Sequence, residues 1–192
     1  MLSRVVPLSC PSERPDPDVC ALIDLFADTF YQEFNTKLVR GEHEPIYLPA
    51  GQGKPYAQIV FAHGFFSSAL HEIAHWCVAG ERRRQLEDYG YWYCPDGRDE
   101  AQQAEFEKVE IKPQAIEWAL THAAGRVFQV STDNLNGVEP DRFAFTQAVK
   151  SKLLDMLQHG FPPRAARFIK ALERHFGTSP LTLSTLEMAK DG

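Results

Sequence analysis

From Asp18 onward, apolar residues recur every three or four positions, at Leu22, Leu25, Phe26, Phe30 and Phe34, which is the spacing of one face of an α-helix. Asp18 can cap that helix, and Gly41 closes the region. Upstream, Pro7, Pro11, Pro15 and Pro17 interrupt any periodicity, so residues 1–17 read as an irregular leader and residues 18–192 as a single domain. Ile46-Tyr47-Leu48, set between Pro45 and Pro49, reads as a short extended piece, and Ile59-Val60-Phe61-Ala62 as a strand. Between them, Gly51-Gln52-Gly53-Lys54 shares glycines and a lysine with phosphate loops but lacks their other residues, and reads as a turn.

The pattern then turns helical again. A helix is predicted from Ser67-Ser68 to Gly80, with Leu70, Ile73 and Cys77 on its packed flank. Glu81 to Leu86 reads as a charged second helix or a continuation, ending at Gly90. Tyr91-Trp92-Tyr93-Cys94 leads into a Pro95-Asp96-Gly97 turn and Arg98. Asp99 to Lys108 reads as a polar helix, and Pro113 opens another that carries Ile116, Leu120 and Ala124 and stops at Gly125. Phe128-Gln129-Val130 reads as a strand, followed by helices over Asp141–Gln158 and Pro163–Phe176. These elements predict an α+β fold that is mostly helical, with a small sheet.

Composition narrows the function classes. With 44% hydrophobic residues the chain can build a core without disulfides, and Cys10, Cys20, Cys77 and Cys94 show no C-x-x-C spacing, so neither a disulfide framework nor a zinc knuckle is expected. A net charge of -6 argues against sequence-independent nucleic-acid binding. No apolar run has signal-peptide or bilayer length, which points to a cytoplasmic protein with no membrane partner. A monomer is expected.

Chemistry concentrates at His71-Glu72-Ile73-Ala74-His75. Histidines four apart leave the same face of a helix and can grip a divalent metal, while Glu72 would be the general base of a metalloprotease. The extended protease pattern fails, because Val78 holds the position of its glycine and no third histidine follows. A third ligand is needed, and three carboxylates compete for the role. Glu81 lies six residues past His75, but Gly80 leaves little chain to fold it back. Glu110, between Val109 and Ile111, is a carboxylate in an apolar setting that calls for a cation, and Glu117, beside Trp118, makes a similar case. His63 could add a ligand or brace one; His122 reads as a core residue, and Cys77 and Cys94 as buried thiols. Zinc hydrolysis of a peptide or RNA and iron-dependent oxidation both stay open on this basis, as does an adaptor that uses metal only for folding.

Taken together, EPIYLPA at 44–50, IVFAHGF at 59–65, HEIAHWCVAG at 71–80, GYWYCPDGR at 90–98, VEIKPQAIEW at 109–118 and ARFIKAL at 166–172 resemble the bacterial elongation factor P hydroxylases. The resemblance implies a metal-dependent hydroxylase acting on the β-lysylated lysine of elongation factor P, with non-haem Fe(II) and O₂ as co-substrate, although zinc or another divalent metal could occupy the site. It implies an α+β fold like that of a metal-dependent ribosomal-RNA endonuclease. The ligands it implies are His71, His75 and, in the VEIKPQ block, Glu110. Glu72 would then orient a water or a ligand imidazole. Tyr91, Trp92, Tyr93, Asp96 and Arg98 are the expected substrate contacts, since aromatics embrace an alkylammonium chain and Asp96 could pair with its amine.

Overall fold

The structure, a computed structural model, describes residues 17–51, 53–90, 97–132 and 141–188. The expected leader, apart from Pro17, lies outside them, as do Tyr91, Trp92, Tyr93, Cys94 and Asp96. Helix α1 (Pro17–Phe34) opens on a proline, which forfeits no intrahelical bond there, and has Asp18 in its first turn. Val19, Leu22, Phe26 and Phe30 form its buried face. Asn35 stops the helix in the left-handed region (φ 45), its N–H donating to the Tyr31 carbonyl at 2.9 Å. The chain does not continue in the same element to Gly41, as the pattern suggested. It enters strand β1 (Thr36–Arg40), in which Thr36 and Leu38 turn inward.

Strands β2 (Ile46–Leu48) and β3 (Ala57–Phe61) complete a three-stranded sheet of order β1-β3-β2. The central strand pairs parallel with β1, Ile59 facing Leu38, and antiparallel with β2, Ile59 facing Tyr47. It holds the middle because Ala57, Ile59 and Phe61 alternate inward and are all buried. Gly51 and Lys54 bridge a tight turn with two 2.9 Å hydrogen bonds, so the glycine-lysine segment is a turn.

Helix α2 (Phe66–Val78) follows a turn in which His63 (φ 51) and Gly64 (φ 71) both adopt left-handed backbone. Leu70, Ile73, Trp76 and Cys77 are buried. Trp76 anchors the helix in an aromatic cluster, its ring 4.9 Å from Phe30, 5.3 Å from Phe26 and 5.3 Å from Phe34, with Phe168 5.6 Å from Phe26. At the carboxyl end of α2, Arg164 donates to the carbonyls of Cys77 and Ala79, and Arg84 donates to that of Ala79 at 2.9 Å. Two guanidinium groups thus meet carbonyls that the helix leaves unbonded. The charged run at 81–86 serves this end; in place of a second helix it forms short 3₁₀ turns over Arg83–Gln85 and Glu87–Gly90.

The two helices predicted over 99–108 and 113–124 are one. Helix α3 (Glu100–Ala123) begins with a capping box, in which the Asp99 carboxylate accepts from Gln102 N–H at 2.9 Å and the Gln102 side chain accepts from Asp99 N–H at 3.0 Å. Pro113 lies inside it and provides no N–H for the Val109 carbonyl. Tertiary packing overrides the break, since α3 lies against α2, α4 (Arg142–His159) and α5 (Pro163–Phe176). A short α6 (Leu183–Met188) closes the described chain. Phe128 to Val130 forms no strand: the segment stays irregular, with Phe128 stacked on Trp118 at 4.9 Å and Val130 accepting from Arg142 at 3.0 Å. Among the described residues no helix is long and apolar enough to cross a membrane.

Candidate metal centre

Because Trp76 and Ile73 hold one face of α2 in the core, the helix turns His71 and His75 the other way, toward α3. Their Nε2 atoms lie 3.1 Å apart. Glu110 of α3 meets them, Oε1 at 3.2 Å from His75 Nε2 and Oε2 at 3.6 Å from His71 Nε2. Ligands held about 2.1 Å from a common metal at tetrahedral or octahedral angles would stand about 3.0–3.4 Å apart, close to these separations. Among the described residues, these three side chains are the group able to share an ion.

The chemistry of the set also suits a cation. A carboxylate only accepts hydrogen bonds, so the 2.8 Å contact of His71 Nδ1 with Glu117 Oε2 places the ring proton on Nδ1 and leaves Nε2 a lone pair. That lone pair faces another imidazole nitrogen and a carboxylate that is 1% exposed. Glu110 Oε1, although near His75, accepts no well-directed hydrogen bond. Converging acceptors around an orphaned buried oxygen repel one another unless a proton or metal ion sits among them.

The titration behaviour follows from this crowding. Burial alone would raise the Glu110 carboxyl, but His75, His71 and a 3.4 Å hydrogen bond from Gln114 bring its pKa down to about 2. Burial disfavours charge on His71, yet Glu117, Glu110 and Glu72 outweigh it and push its pKa well above 6.5. Burial raises the Glu72 carboxyl, against the neighbouring histidines. A metal entering this site would displace the proton from His71 and take over its role among the carboxylates.

Glu110, Gln114, Glu117 and Thr121 form a polar stripe on α3 at helical spacing, and all four are buried. The predicted rival ligands therefore separate in space. Glu110 joins the histidines, whereas Glu117 stands behind His71 as its hydrogen-bond partner, the position of a group that orients a metal-binding imidazole. Glu81 is exposed on the turn after α2 and lines a different cavity. Gln114, which the sequence reading did not single out, connects Glu110 to the irregular segment: its Nε2 also donates to Ser131 carbonyl at 2.7 Å, and its Oε1 accepts from Ser131 N–H at 3.1 Å. A single helix through Pro113 was the missing signal, because only then do 110, 114 and 117 share a face.

A cleft of about 1250 Å³ opens onto His71, Glu72, Glu110 and Glu117. Its walls come from the turn before α2 and from residues 125–131. A second cavity of about 540 Å³ meets the centre from the side of His75, between Val109, Pro113 and Tyr89. Arg98 lines the cleft but is 1% exposed, with its guanidinium 3.7 Å from the Phe106 ring and bonded to Gln103 at 2.9 Å and to Thr132 carbonyl at 2.9 Å. It braces the wall from within. Of the other expected substrate contacts, Tyr91, Trp92, Tyr93 and Asp96 lie outside the described residues. His63 sits at the cleft mouth, His122 bonds Ser179 carbonyl at 3.2 Å, and Cys77 is a buried thiol with its pKa pushed up to about 12.

Comparison with known proteins adds two findings. The family model described as elongation factor P hydroxylase matches residues 25–186. The elongation factor P lysine hydroxylase of Haemophilus influenzae is 54% identical over 157 residues, which cover 82% of this chain and 88% of that protein.

Proposed function

The chain belongs to the elongation factor P hydroxylase family, and we propose that it hydroxylates the β-lysylated lysine of elongation factor P at a non-haem Fe(II) centre held by His71, His75 and Glu110. The observation that carries the metal assignment is the convergence of two imidazole nitrogens and one buried carboxylate at 3.1–3.6 Å. Two histidines and one carboxylate leave coordination positions open, as oxygen-dependent iron enzymes require. Bound Fe(II) would supply the redox chemistry by which one atom of O₂ enters a lysine C–H bond and the other leaves as water, with two electrons from an external reductant.

The residues of the chain do the rest. Glu117 keeps the His71 ring in the tautomer that presents Nε2. Gln114 steadies Glu110 against rotation. Glu72 lies in the cleft wall beside His71 and orients a water or the ammonium end of the incoming side chain. The protein acts in the cytoplasm as a monomer and binds neither nucleic acid nor membrane on this reading. Kinship of the fold with metal-dependent ribosomal-RNA endonucleases belongs to the same proposal.

Intact-mass measurement of β-lysylated elongation factor P after incubation with Fe(II)-loaded protein and a reductant tests the reading. A gain of one oxygen that requires O₂ and is lost in His71→Ala, His75→Ala and Glu110→Ala is expected. No mass gain, together with zinc-dependent hydrolysis of peptide or RNA that fails in Glu72→Gln, would instead establish the hydrolase reading, with Glu72 as base.

A further inference from the structure

The metal cleft exposes apolar side chains from two segments of its lining. Phe65, 61% exposed, stands at the start of α2, and Val127, 90% exposed, stands on the segment that follows α3. Both are among the few large apolar residues that the described chain leaves to solvent, and both line the cavity that ends on His71 and Glu110. The backbone goes out of its way to present Phe65. His63 and Gly64 take left-handed φ values of 51 and 71 immediately before it, and a non-glycine residue in that region stores strain that must be held by its surroundings. Gly64 has no room for a side chain without meeting the Arg40 side chain, which a Cβ would approach to 3.1 Å. The His63 ring lies 5.7 Å from that of Phe65, so the turn offers an aromatic pair rather than a lone ring.

The segment that carries Val127 is equally fixed. Residues 130–132 are tied down by Arg142 to Val130, Gln114 to Ser131 and Arg98 to Thr132, while Phe128 stacks on Trp118. Val127 is therefore displayed from an anchored segment. At about 1250 Å³ the cleft is larger than a pocket for a single small molecule, commonly about 300–1,000 Å³. It has room for an extended lysine side chain and some of the backbone that carries it.

We infer that Phe65 and Val127 are the docking anchors for the protein substrate, holding elongation factor P at the cleft while its lysine reaches the metal centre. This rests on the proposed function, since a folded substrate whose side chain reaches the centre must lay its neighbouring surface on this rim. The floor and rim divide the work: Glu72, which neither holds the metal nor braces His71 in the proposed centre, leaves a carboxylate in the cleft for an ammonium-bearing side chain, and the apolar rim gives the affinity.

The test is the binding of β-lysylated elongation factor P to the metal-loaded protein by titration calorimetry, with Phe65→Ser, Val127→Ser and the double variant. Phe143→Ser is the control, since Phe143 is 71% exposed but lies on α4 and does not line the cleft. The double variant is expected to bind about ten- to a hundredfold more weakly, with the catalytic loss carried by KM. Its metal affinity and melting temperature are expected to match the wild type. Wild-type binding by the double variant, or an equal loss in Phe143→Ser, overturns the inference while leaving the hydroxylase reading intact. A change of oligomeric state in the double variant, seen by sedimentation without a change in substrate affinity, would assign the rim to a second copy of the chain and also overturn it. If the wild type neither binds nor hydroxylates elongation factor P, the proposed function itself fails and the inference falls with it.

Discussion

Replacing Glu117 separates a ligand from a brace. Its carboxylate accepts from His71 Nδ1 at 2.8 Å and is mostly buried, so Glu117→Ala removes both the tautomer lock and a charge close to the imidazole. Loss of such a partner typically weakens metal binding about 10- to 100-fold, or roughly 1.4–2.7 kcal/mol. Glu117→Gln can still accept the Nδ1 proton through its amide oxygen but lacks the charge, and neutral hydrogen bonds are about half as strong as charge-assisted ones. It should therefore lie between the wild type and Glu117→Ala. Competition of Zn(II) or Co(II) against a chromophoric chelator gives the affinities, and the Co(II) absorption spectrum reports the coordination. The spectrum should stay that of two nitrogens and one carboxylate in both variants, whereas Glu110→Ala should change it. The reasoning is refuted if Glu117→Ala abolishes binding and alters the spectrum as Glu110→Ala does, which would make Glu117 a ligand. It is equally refuted if Glu117→Ala binds like the wild type.

Two further outcomes follow from the core and from the titrating groups. Trp76→Ala should destabilise the fold by about 3–5 kcal/mol, lowering the melting temperature by roughly 6–20 °C, while Trp76→Phe should cost far less, because Trp76 Nε1 has no hydrogen-bond partner to lose. A melting temperature of Trp76→Ala within a few degrees of wild type would mean that α2 is not anchored there. In the metal-free protein, Glu110 has its folded pKa lowered to about 2, so its contribution is present above the ordinary value of 4.5 and is lost as pH falls toward 2. His71 has its folded pKa raised, so its contribution is present below 6.5 and is lost as pH rises through the folded value. Metal binding requires that proton to leave, so the rise in melting temperature on adding Zn(II) should grow with pH above 6.5; a rise independent of pH would contradict this.

How much of the centre could be read from the chain depended on the length of each periodic run. The spacing of His71 and His75 lies within one well-bounded helix, and the choice of Glu110 rested on its apolar neighbours and on the family resemblance. The role of Glu117 was hidden because Pro113 looks like a helix start. In the fold it is an interior residue, tolerated because α2, α4 and α5 pack on both halves of α3. Strand β1 was missed for a different reason: it begins two residues after α1, behind an Asn35 turn that leaves no glycine or proline to mark it. Phe128 and Val130 have strand-like composition but find no sheet edge, and side chains from α3 and α4 satisfy the backbone instead. Arg98 invites a surface reading by its charge; its burial against Phe106 was not encoded in any local pattern.

The interior proline has a consequence for how the molecule opens. Without an N–H at Pro113 the ladder of α3 lacks one rung at the Val109 carbonyl, so the stretch before it is expected to open to exchange ahead of the buried stretch after it. The amides of 103–109 are then expected to lose protection before those of 115–123. Glu110 stands at the joint, and a metal shared with His71 and His75 would rivet it to α2. The protective footprint of the metal in hydrogen exchange would thus spread about two turns upstream of Glu110, over residues that never touch the ion.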